Sequence, residues 1–271
     1  MKIQHPAIDH GNAFDWGKTS QDYAKFRDIY PPVFYQMLLK RGIGLKGQKI
    51  LDLGTGTGVL PRNLYAYGGD WTGIDISENQ IRQAKALAEQ HHMQICFQTM
   101  PAEEIHFPDH SFDAVTACQC FWYFDTPALM PILKRILKPE GKLCILQMEW
   151  LPLEDEIAAA SETLVLKYNP HWTGAGEIRK PVYLSESVLH DFDLLSHEEF
   201  DIPISFSRES WNGRMKSCRG IGASLSETEI SAWESEHVAL LNQIAPPSFE
   251  ILHYIAIAEL KPKIMNERNL S

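Results

Sequence analysis

Three glycines at alternate positions, Gly54, Gly56 and Gly58, follow a short apolar run at residues 50–53. Glycine allows a sharp turn and a close approach of the backbone to a ligand, and a helix that begins after such a turn presents unpaired N–H groups. Asp75 comes 21 residues after Gly54, where a second strand is expected to end. A carboxylate at that place can accept hydrogen bonds from both hydroxyls of a ribose. The pattern therefore predicts a site for an adenosine-containing cofactor.

The spacing of the glycines separates two kinds of cofactor. A dinucleotide fingerprint places its third glycine three residues after the second, at the position of Val59, whereas Gly58 comes one residue early. Asp52, ahead of the turn, suits a ligand with positive charge, and S-adenosylmethionine carries an ammonium and a sulfonium where a dinucleotide carries a pyrophosphate. The residues thus favour S-adenosylmethionine, and an NAD-dependent oxidoreductase is the less favoured alternative.

Aromatic and basic residues outside the turn are candidates for a second, substrate-binding pocket. An aromatic wall can shape an apolar cavity or stabilise a sulfonium by a cation–π interaction, and a guanidinium can hold a carboxylate through two parallel hydrogen bonds. Each candidate also has a plain alternative as a core or surface residue. The candidates are Phe121, Trp122, Trp172, Arg179, Trp211 and Arg214.

The elements that must position these residues alternate regularly from about residue 48 to residue 148. Short apolar runs at 49–53, 70–76, 94–98, 112–118 and 142–148 alternate with amphipathic segments, which is typical of βαβ units and a parallel sheet. Helices are expected at 59–67, from Ser77 onwards and at 126–137. We therefore expect an α/β fold, namely a Rossmann-like, mostly parallel seven-stranded sheet with helices on both faces, an antiparallel final strand and a helical lid or cap.

Four segments follow from this pattern. Residues 1–45 carry aromatic side chains at helix-like intervals and are expected to form a lid, and residues 46–150 form the cofactor-binding core. Residues 151–184 are irregular after a helix at 153–168 and are interpreted as an inserted cap. Residues 185–271 are expected to complete the sheet through helices at 185–194 and 227–242 and strands at 198–206 and 248–260, with a helical cap segment near 207–242.

Composition limits the classes of partner. The chain has 271 residues and a formal net charge of −10, so its average surface repels phosphate backbones and does not favour nucleic acid. No secretory signal and no apolar stretch of about 18 residues is evident, so we expect a cytoplasmic protein without a membrane partner, either a monomer or a homodimer. Five cysteines without CxxC spacing indicate reduced, packed thiols and no metal site.

Four strings in order, LDLGTGTG, GIDIS, PAEEIHFPDHSFDAV and LKPEGKL, resemble the successive motifs of class I S-adenosylmethionine-dependent methyltransferases. More narrowly they resemble the small-molecule branch that contains ubiquinone/menaquinone-biosynthesis and trans-aconitate-type enzymes. The resemblance covers roughly residues 47–148. It implies S-adenosylmethionine as cofactor, S-adenosylhomocysteine as product and a small-molecule methyl acceptor. The alternative that remains open is a protein that binds the adenosyl cofactor without catalysis.

The resemblance also implies roles for single residues. Asp52 and the glycines would line the methionine end, Asp75 would hold the ribose, and Gln119 would touch the methionyl part. Tyr23 and Arg27 resemble a pair that closes over the cofactor carboxylate. The residues expected to bind the cofactor are Tyr23, Arg27, Asp52, Gly54, Thr55, Gly56, Asp75, Ile76, Ala102, Glu103 and Gln119, with Ile76, Ala102 and Glu103 around the adenine.

No catalytic residue is selected by the sequence. Methyl transfer from a sulfonium is an in-line displacement, so the main tasks of the protein are to align the reactants and to exclude water. An oxygen or amine acceptor that must lose a proton needs a base, for which Tyr23, Tyr30 and His171 are candidates. Many relatives carry a histidine where Trp122 stands, so a histidine base at that position is not expected.

Overall fold

The structure, a computed structural model, describes residues 2–263. Two short helices precede the sheet, α1 (Ser20–Phe26) and α2 (Pro32–Lys40). The second begins with proline, whose fixed φ suits a first helical position and whose missing N–H would have had no partner there. It buries Phe34 and Leu38 against the sheet core.

The first five strands are joined by α-helices, as the apolar pattern predicts, except that only a 3-10 turn, Ala102–Glu104, lies between the third and fourth strands. They are β1 (Lys49–Leu53), α3 (Val59–Leu64), β2 (Asp70–Asp75), α4 (Glu78–Gln90), β3 (Cys96–Thr99), β4 (Phe112–Cys118), α5 (Thr126–Ile136) and β5 (Leu137–Trp150). Ser77 caps α4 by accepting a hydrogen bond from the backbone N–H of Gln80. The central strands β1 and β4 are buried almost along their whole length because helices cover both faces.

The remainder of the chain completes the sheet. It forms α6 (Glu156–Tyr168), α7 (Glu186–Asp191), β6 (Phe192–Ser207), α8 (Arg208–Lys216), α9 (Glu227–Ile244) and β7 (Ser248–Pro262). The strand order is β3-β2-β1-β4-β5-β7-β6, in which β1 to β5 are parallel and β7 is antiparallel to both of its neighbours. The expected seven-stranded, mostly parallel fold is thus confirmed.

Several predicted boundaries differ from the structure. The fifth strand begins at Leu137 rather than at residue 142, because Leu137 already pairs with Phe112 of β4, ahead of a register shift after which Lys142 pairs with Ala114. The helix expected at 59–67 ends at Leu64 and continues as a 3-10 turn, Tyr65–Tyr67. The sixth strand begins at Phe192, so the helix expected at 185–194 ends at Asp191.

The excursion between β6 and β7 packs against the N-terminal part of the chain. Helix α8 contacts α1 and α9, and α9 also contacts α6. A reciprocal capping box between Ser226 and Glu229 fixes the start of α9. None of the helices within residues 2–263 is long and apolar enough to cross a membrane.

Strand order determines where a ligand can bind. The order in which strands are added reverses at β1, since β2 and β3 lie on one side of it and β4 and β5 on the other. Loops at the carboxyl ends of two such strands diverge to opposite faces and leave a crevice between them. The glycine turn that follows β1 and the loop that follows β4 both lie at this crevice.

Candidate functional site

A cavity of about 430 Å³ opens at the carboxyl ends of β1, β2, β4 and β5. Its size is within the range of small-ligand sites. The floor comes from the strand ends, and the walls come from segments far away in sequence. These segments are the N-terminal residues before α2, the loop at 172–183 and the connection at 214–219.

Asp75 and the glycine turn form one end of the cavity. Each oxygen of the Asp75 carboxylate accepts a backbone N–H, one from Gly56 at 2.9 Å and one from Ser77 at 2.8 Å. These bonds fix the carboxylate at the cavity wall and leave each oxygen able to accept a further hydrogen bond. Burial raises the pKa of Asp75 to about 6, while the two amides act to lower it. The arrangement suits a diol, because two hydroxyls can donate to two oxygens.

The early third glycine has a packing explanation. Gly58 precedes α3 with a φ of +75°, and a Cβ there would lie 2.6 Å from the ring of Phe97 on β3. Gly56 is different, since its Cβ position is 3.6 Å from the ring of Tyr23 and borders the cavity. Only part of the glycine pattern therefore serves close approach to a ligand.

Asp52 and Thr55 do not lie in the cavity wall, contrary to expectation. Asp52 is buried behind the turn, where its two oxygens accept hydroxyl hydrogens from Thr55 and Thr116, each at 2.6 Å. Burial raises the pKa of Asp52 to about 7. The carboxyl therefore ties β1 to β4 and to the turn, and no ligand reaches it in this arrangement.

Tyr23 and Arg27 lie together over the glycine turn. The guanidinium of Arg27 stacks on the Tyr23 ring, with 4.7 Å between the guanidinium carbon and the ring centroid. The 3-10 turn Trp16–Thr19 leads directly into α1, which carries Tyr23, and Gln80 of α4 holds this turn by donating from its side chain to the Trp16 carbonyl at 3.0 Å. Burial raises the pKa of Tyr23, so the phenol is neutral at physiological pH. Within residues 2–263, Arg27 forms no ion pair and is free to bind an anionic ligand.

Gln119 follows β4 in a left-handed conformation, with a φ of +59°. Its backbone N–H donates to Leu146, and its side-chain amide donates to the carbonyl of Met148. The side-chain oxygen Oε1 is buried and has no hydrogen-bond partner among the described residues. An orphaned acceptor at a cavity wall fits a cationic donor such as an ammonium group.

The remaining expected cofactor contacts form a mostly apolar slot. Ile76, Ala102 and Glu103 line the cavity beside Met100. The Glu103 carboxylate accepts the backbone N–H of Asp125 at 3.0 Å, which fixes the edge of the slot. A flat aromatic ring fits this combination of apolar walls and one polar edge.

The expected substrate pocket needs three corrections. Trp122, Trp172 and Arg214 line the cavity, whereas Phe121, Arg179 and Trp211 do not. Trp211 is fully buried in the core, where its indole N–H donates to Ser161, and Phe121 packs in the core on the opposite face. Arg179 is exposed and forms ion pairs with Glu154 and Asp201. The sequence could not distinguish these packing and surface roles from binding.

Two of the three candidate bases also lie outside the cavity wall. Tyr30 stacks on Phe34 with 4.4 Å between ring centroids, and burial raises its pKa well above the usual value. His171 is exposed and contacts the ring of His10. Tyr23 lies in the wall, but burial raises its pKa further above neutral, so the phenol stays protonated and does not accept a proton.

Glu149 is a cavity residue that the sequence interpretation missed. It lies near the end of β5, and its carboxyl has no hydrogen bond or ion pair within residues 2–263. Burial, reinforced by nearby Glu177, raises the pKa of Glu149 to about 8 against the opposing effect of Arg27. The signal was available, since Glu149 follows the fifth apolar run much as Asp75 ends the second. Lys180, Cys218 and Arg219 are further wall residues in this half of the cavity.

Known proteins are similar in sequence to the part of the chain that forms the glycine turn and the neighbouring strands. Residues 51–145 match a family model described as a methyltransferase domain. A ubiquinone biosynthesis O-methyltransferase from Glaesserella parasuis serovar 5 is 31% identical over 109 residues, which are 38% of this chain and 46% of that protein. The chain thus spans about half the length of the curated relatives that it matches.

Two solved structures share the fold across most of the chain. A putative methyltransferase from Bacillus halodurans superposes with a TM-score of 0.53 at 18% identity, covering 84% of this chain and 97% of the other. Phosphoethanolamine N-methyltransferase 2 from Haemonchus contortus, solved with phosphomonomethylethanolamine and S-adenosylhomocysteine, superposes with a TM-score of 0.53 at 19% identity. The match covers 90% of this chain and 58% of that protein. Residues 51–145 thus resemble a methyltransferase domain, and the strand order with its crevice at β1 and β4 is a fold that this chain shares with both solved structures.

Proposed function

We propose that the protein transfers a methyl group from S-adenosylmethionine to a small-molecule acceptor. The observation that carries this proposal is the Asp75 carboxylate, which two backbone amides hold at the wall of the cavity beside the glycine turn. The family match over residues 51–145 supports the cofactor class. The class of methyl acceptor is part of the proposal, because the curated relatives match this chain over only part of their length.

The described residues fit the cofactor group by group. Asp75 offers two acceptors for the ribose hydroxyls, and the slot beside Met100 and Ala102 suits the adenine. The orphaned Oε1 of Gln119 suits the ammonium, and the guanidinium of Arg27 suits the carboxylate. Complementary partners for each polar group of the ligand are what distinguish a binding site from an apolar hollow.

The chemistry asks little of the protein beyond positioning. S-Adenosylmethionine, when bound, supplies an activated methyl group. The protein aligns the acceptor behind that group, and the aromatic lid residues Trp16 and Tyr23 exclude water from it. Glu149 is the candidate for taking a proton from an acceptor, because its carboxyl has no partner among residues 2–263 and its pKa of about 8 leaves an ionised fraction near neutral pH that can accept one.

Replacement of Asp75 tests the cofactor site. We expect Asp75→Asn to weaken the binding of S-adenosylmethionine and S-adenosylhomocysteine by about 1 to 3 kcal/mol, because it removes hydrogen bonds to a charged acceptor. Titration calorimetry measures this, with exposed Asp193→Asn as the matched control. NAD, titrated in parallel, should not bind. Unchanged affinity in a folded Asp75→Asn variant, or binding of NAD alone, contradicts the proposed site.

Catalysis requires its own assay. An isotopic methyl-transfer assay over thiols, carboxylic acids, phenols and amines should detect a product with at least one acceptor class. Tight cofactor binding without turnover on any class would instead support a non-catalytic adenosyl-binding protein.

A further inference from the structure

Two guanidiniums, those of half-buried Arg27 and buried Arg214, meet at one sulfur atom in the cavity wall. Arg27 donates from Nη1 to the Cys218 Sγ at 3.7 Å, and Arg214 donates from Nη1 to the same Sγ at 3.1 Å. Arg214 is only 2% exposed and stacks on the Trp150 ring at 4.7 Å from its centroid. Its Nε is buried and has no hydrogen-bond partner among residues 2–263. The sequence thus places two like charges side by side.

No acidic group of the described chain compensates this pair. Neither Arg27 nor Arg214 has a carboxylate within ion-pair distance in that part of the chain. The acids around the cavity are engaged elsewhere: Asp9 pairs with Arg219 at 2.8 Å, and Glu177 pairs with Lys180 at 2.5 Å. Glu149 influences Arg27 but forms no ion pair with either arginine.

Cys218 does not supply the missing charge either. Burial raises the pKa of its thiol to about 11, and the sulfur itself donates to the Arg214 carbonyl at 3.3 Å. It is therefore a neutral thiol. Buried charges in folded proteins are normally paired, because an unpaired one loses its hydration without compensation. Two uncompensated guanidiniums in one wall indicate that ligands provide the anions.

The cofactor of the proposed function can neutralise only one of the two. S-Adenosylmethionine carries a single carboxylate together with an ammonium and a sulfonium. Arg27 is the arginine on the cofactor side, since it stacks on Tyr23, which borders Gly56. Arg214 lies on the other side, against Trp150 at the end of β5 and near Trp172.

We propose that the methyl acceptor is itself an anion, and that Arg214 binds its carboxylate group beside Trp150. This inference rests on the proposed methyltransferase function and narrows its substrate to carboxylate-bearing small molecules. Planar guanidinium and planar carboxylate match in shape, and the face of Trp150 restrains the guanidinium in one plane. The methylated atom lies elsewhere on such an acceptor or on the carboxylate itself.

The test compares acids with their neutral amides. Calorimetry on the S-adenosylhomocysteine complex would titrate benzoate, phenylacetate, succinate and citrate, each against its amide. We expect at least one acid to bind tenfold or more tightly than its amide. Arg214→Gln should abolish that preference and Arg214→Lys should retain part of it, whereas Lys216→Gln on the same helix should leave it unchanged. The isotopic methyl assay with the same panel should show the same preference among acceptors.

Each other outcome has a defined meaning. The inference is overturned if every acid binds the wild-type protein no more tightly than its amide does. It is also overturned if the preference for an acid survives in Arg214→Gln. A loss of cofactor affinity in Arg214→Gln equal to that in Arg27→Gln also overturns it, because both arginines would then serve the cofactor. If S-adenosylhomocysteine fails to bind the wild-type protein, the proposed function fails instead. A thermal melt of every variant excludes loss of folding, and Arg214→Lys carries the comparison if Arg214→Gln is unfolded.

Discussion

At the scale of single residues, Asp52 and Asp75 show how similar positions acquire different tasks. They lie on adjacent strands of the sheet, Asp52 buried and Asp75 half-buried, and burial raises the pKa of both. Asp75 binds two backbone amides at the cavity wall, whereas Asp52 binds two hydroxyls behind the turn. One carboxyl is available to a ligand and the other holds the turn in place.

Asp52→Asn should therefore affect stability more than binding. An amide has one N–H₂ end that cannot accept from Thr55 or Thr116, so one buried hydroxyl loses its partner. We expect the free energy of unfolding to fall by about 1 to 3 kcal/mol. Urea unfolding measures this, and calorimetry should show a smaller loss of cofactor affinity than in Asp75→Asn. The reverse order of effects would place Asp52 in the ligand site.

The sequence alone predicted that Asp75 and Gly56 lie at the cavity, because a strand, a turn and a helix that are adjacent in sequence determine their surroundings. The sequence could not separate Trp172, which lines the cavity, from Trp211, which is buried in the core. That difference depends on how α8 packs against α1 and α6, which involves contacts between distant segments. Glu149 was missed for another reason, since no ligand contact was expected directly after the fifth apolar run.

At the scale of elements, the short apolar runs predicted each of the first five strands because the run length and its bounding turns are local signals. The start of β5 was not predictable in this way. Residues 138–141 resemble a turn in sequence, yet the chain pairs Leu137 with Phe112 of β4 before the register shift. Pairing with a neighbouring strand overrode the local preference.

Gly58, in the turn between β1 and α3, is expected to tolerate no side chain. Gly58→Ala should destabilise the fold by about 2 to 4 kcal/mol, because it combines a φ of +75° with a Cβ placed 2.6 Å from the Phe97 ring. Gly47→Ala is the matched control, since Gly47 has a φ of +86° but no atom within 4 Å of the added carbon. It should cost only about 1 kcal/mol. Equal losses in chemical denaturation would show that the contact with Phe97 does not matter.

At the scale of the whole molecule, the charges of the cavity affect stability in a pH-dependent way. Burial raises the pKa of Glu149 to about 8 and that of Asp52 to about 7. In the unfolded chain these carboxyls ionise near pH 4. Between that pH and their pKa values in the folded protein, the folded state therefore binds more protons than the unfolded state. The stability of the ligand-free protein should therefore rise as pH falls from about 9 to 6.5. Below that, buried His237 and His253 oppose the trend, because burial lowers the pKa of each to about 4.

The contribution of Glu149 can be measured separately. Its further protonation between pH 8 and pH 7 should add about 1 kcal/mol to the free energy of unfolding. Glu149→Gln should flatten the pH dependence in that range, whereas exposed Glu250→Gln should not. Thermal unfolding across the pH series measures the slope. A parallel slope in wild type and Glu149→Gln would mean that Glu149 is already ionised in the folded protein.

The insertion of β7 between β5 and β6 has a consequence for the order of folding. Strand β6 is synthesised first but lies at the edge of the sheet, and it joins β5 only through β7. Closing such a long-range connection is slow relative to the local βαβ units, so the early strands can assemble first. Arg214 and Cys218 lie on the connection between β6 and β7 and reach the cavity only when that closure is complete. We therefore expect the half of the cavity that is proposed to bind the substrate to form last during folding.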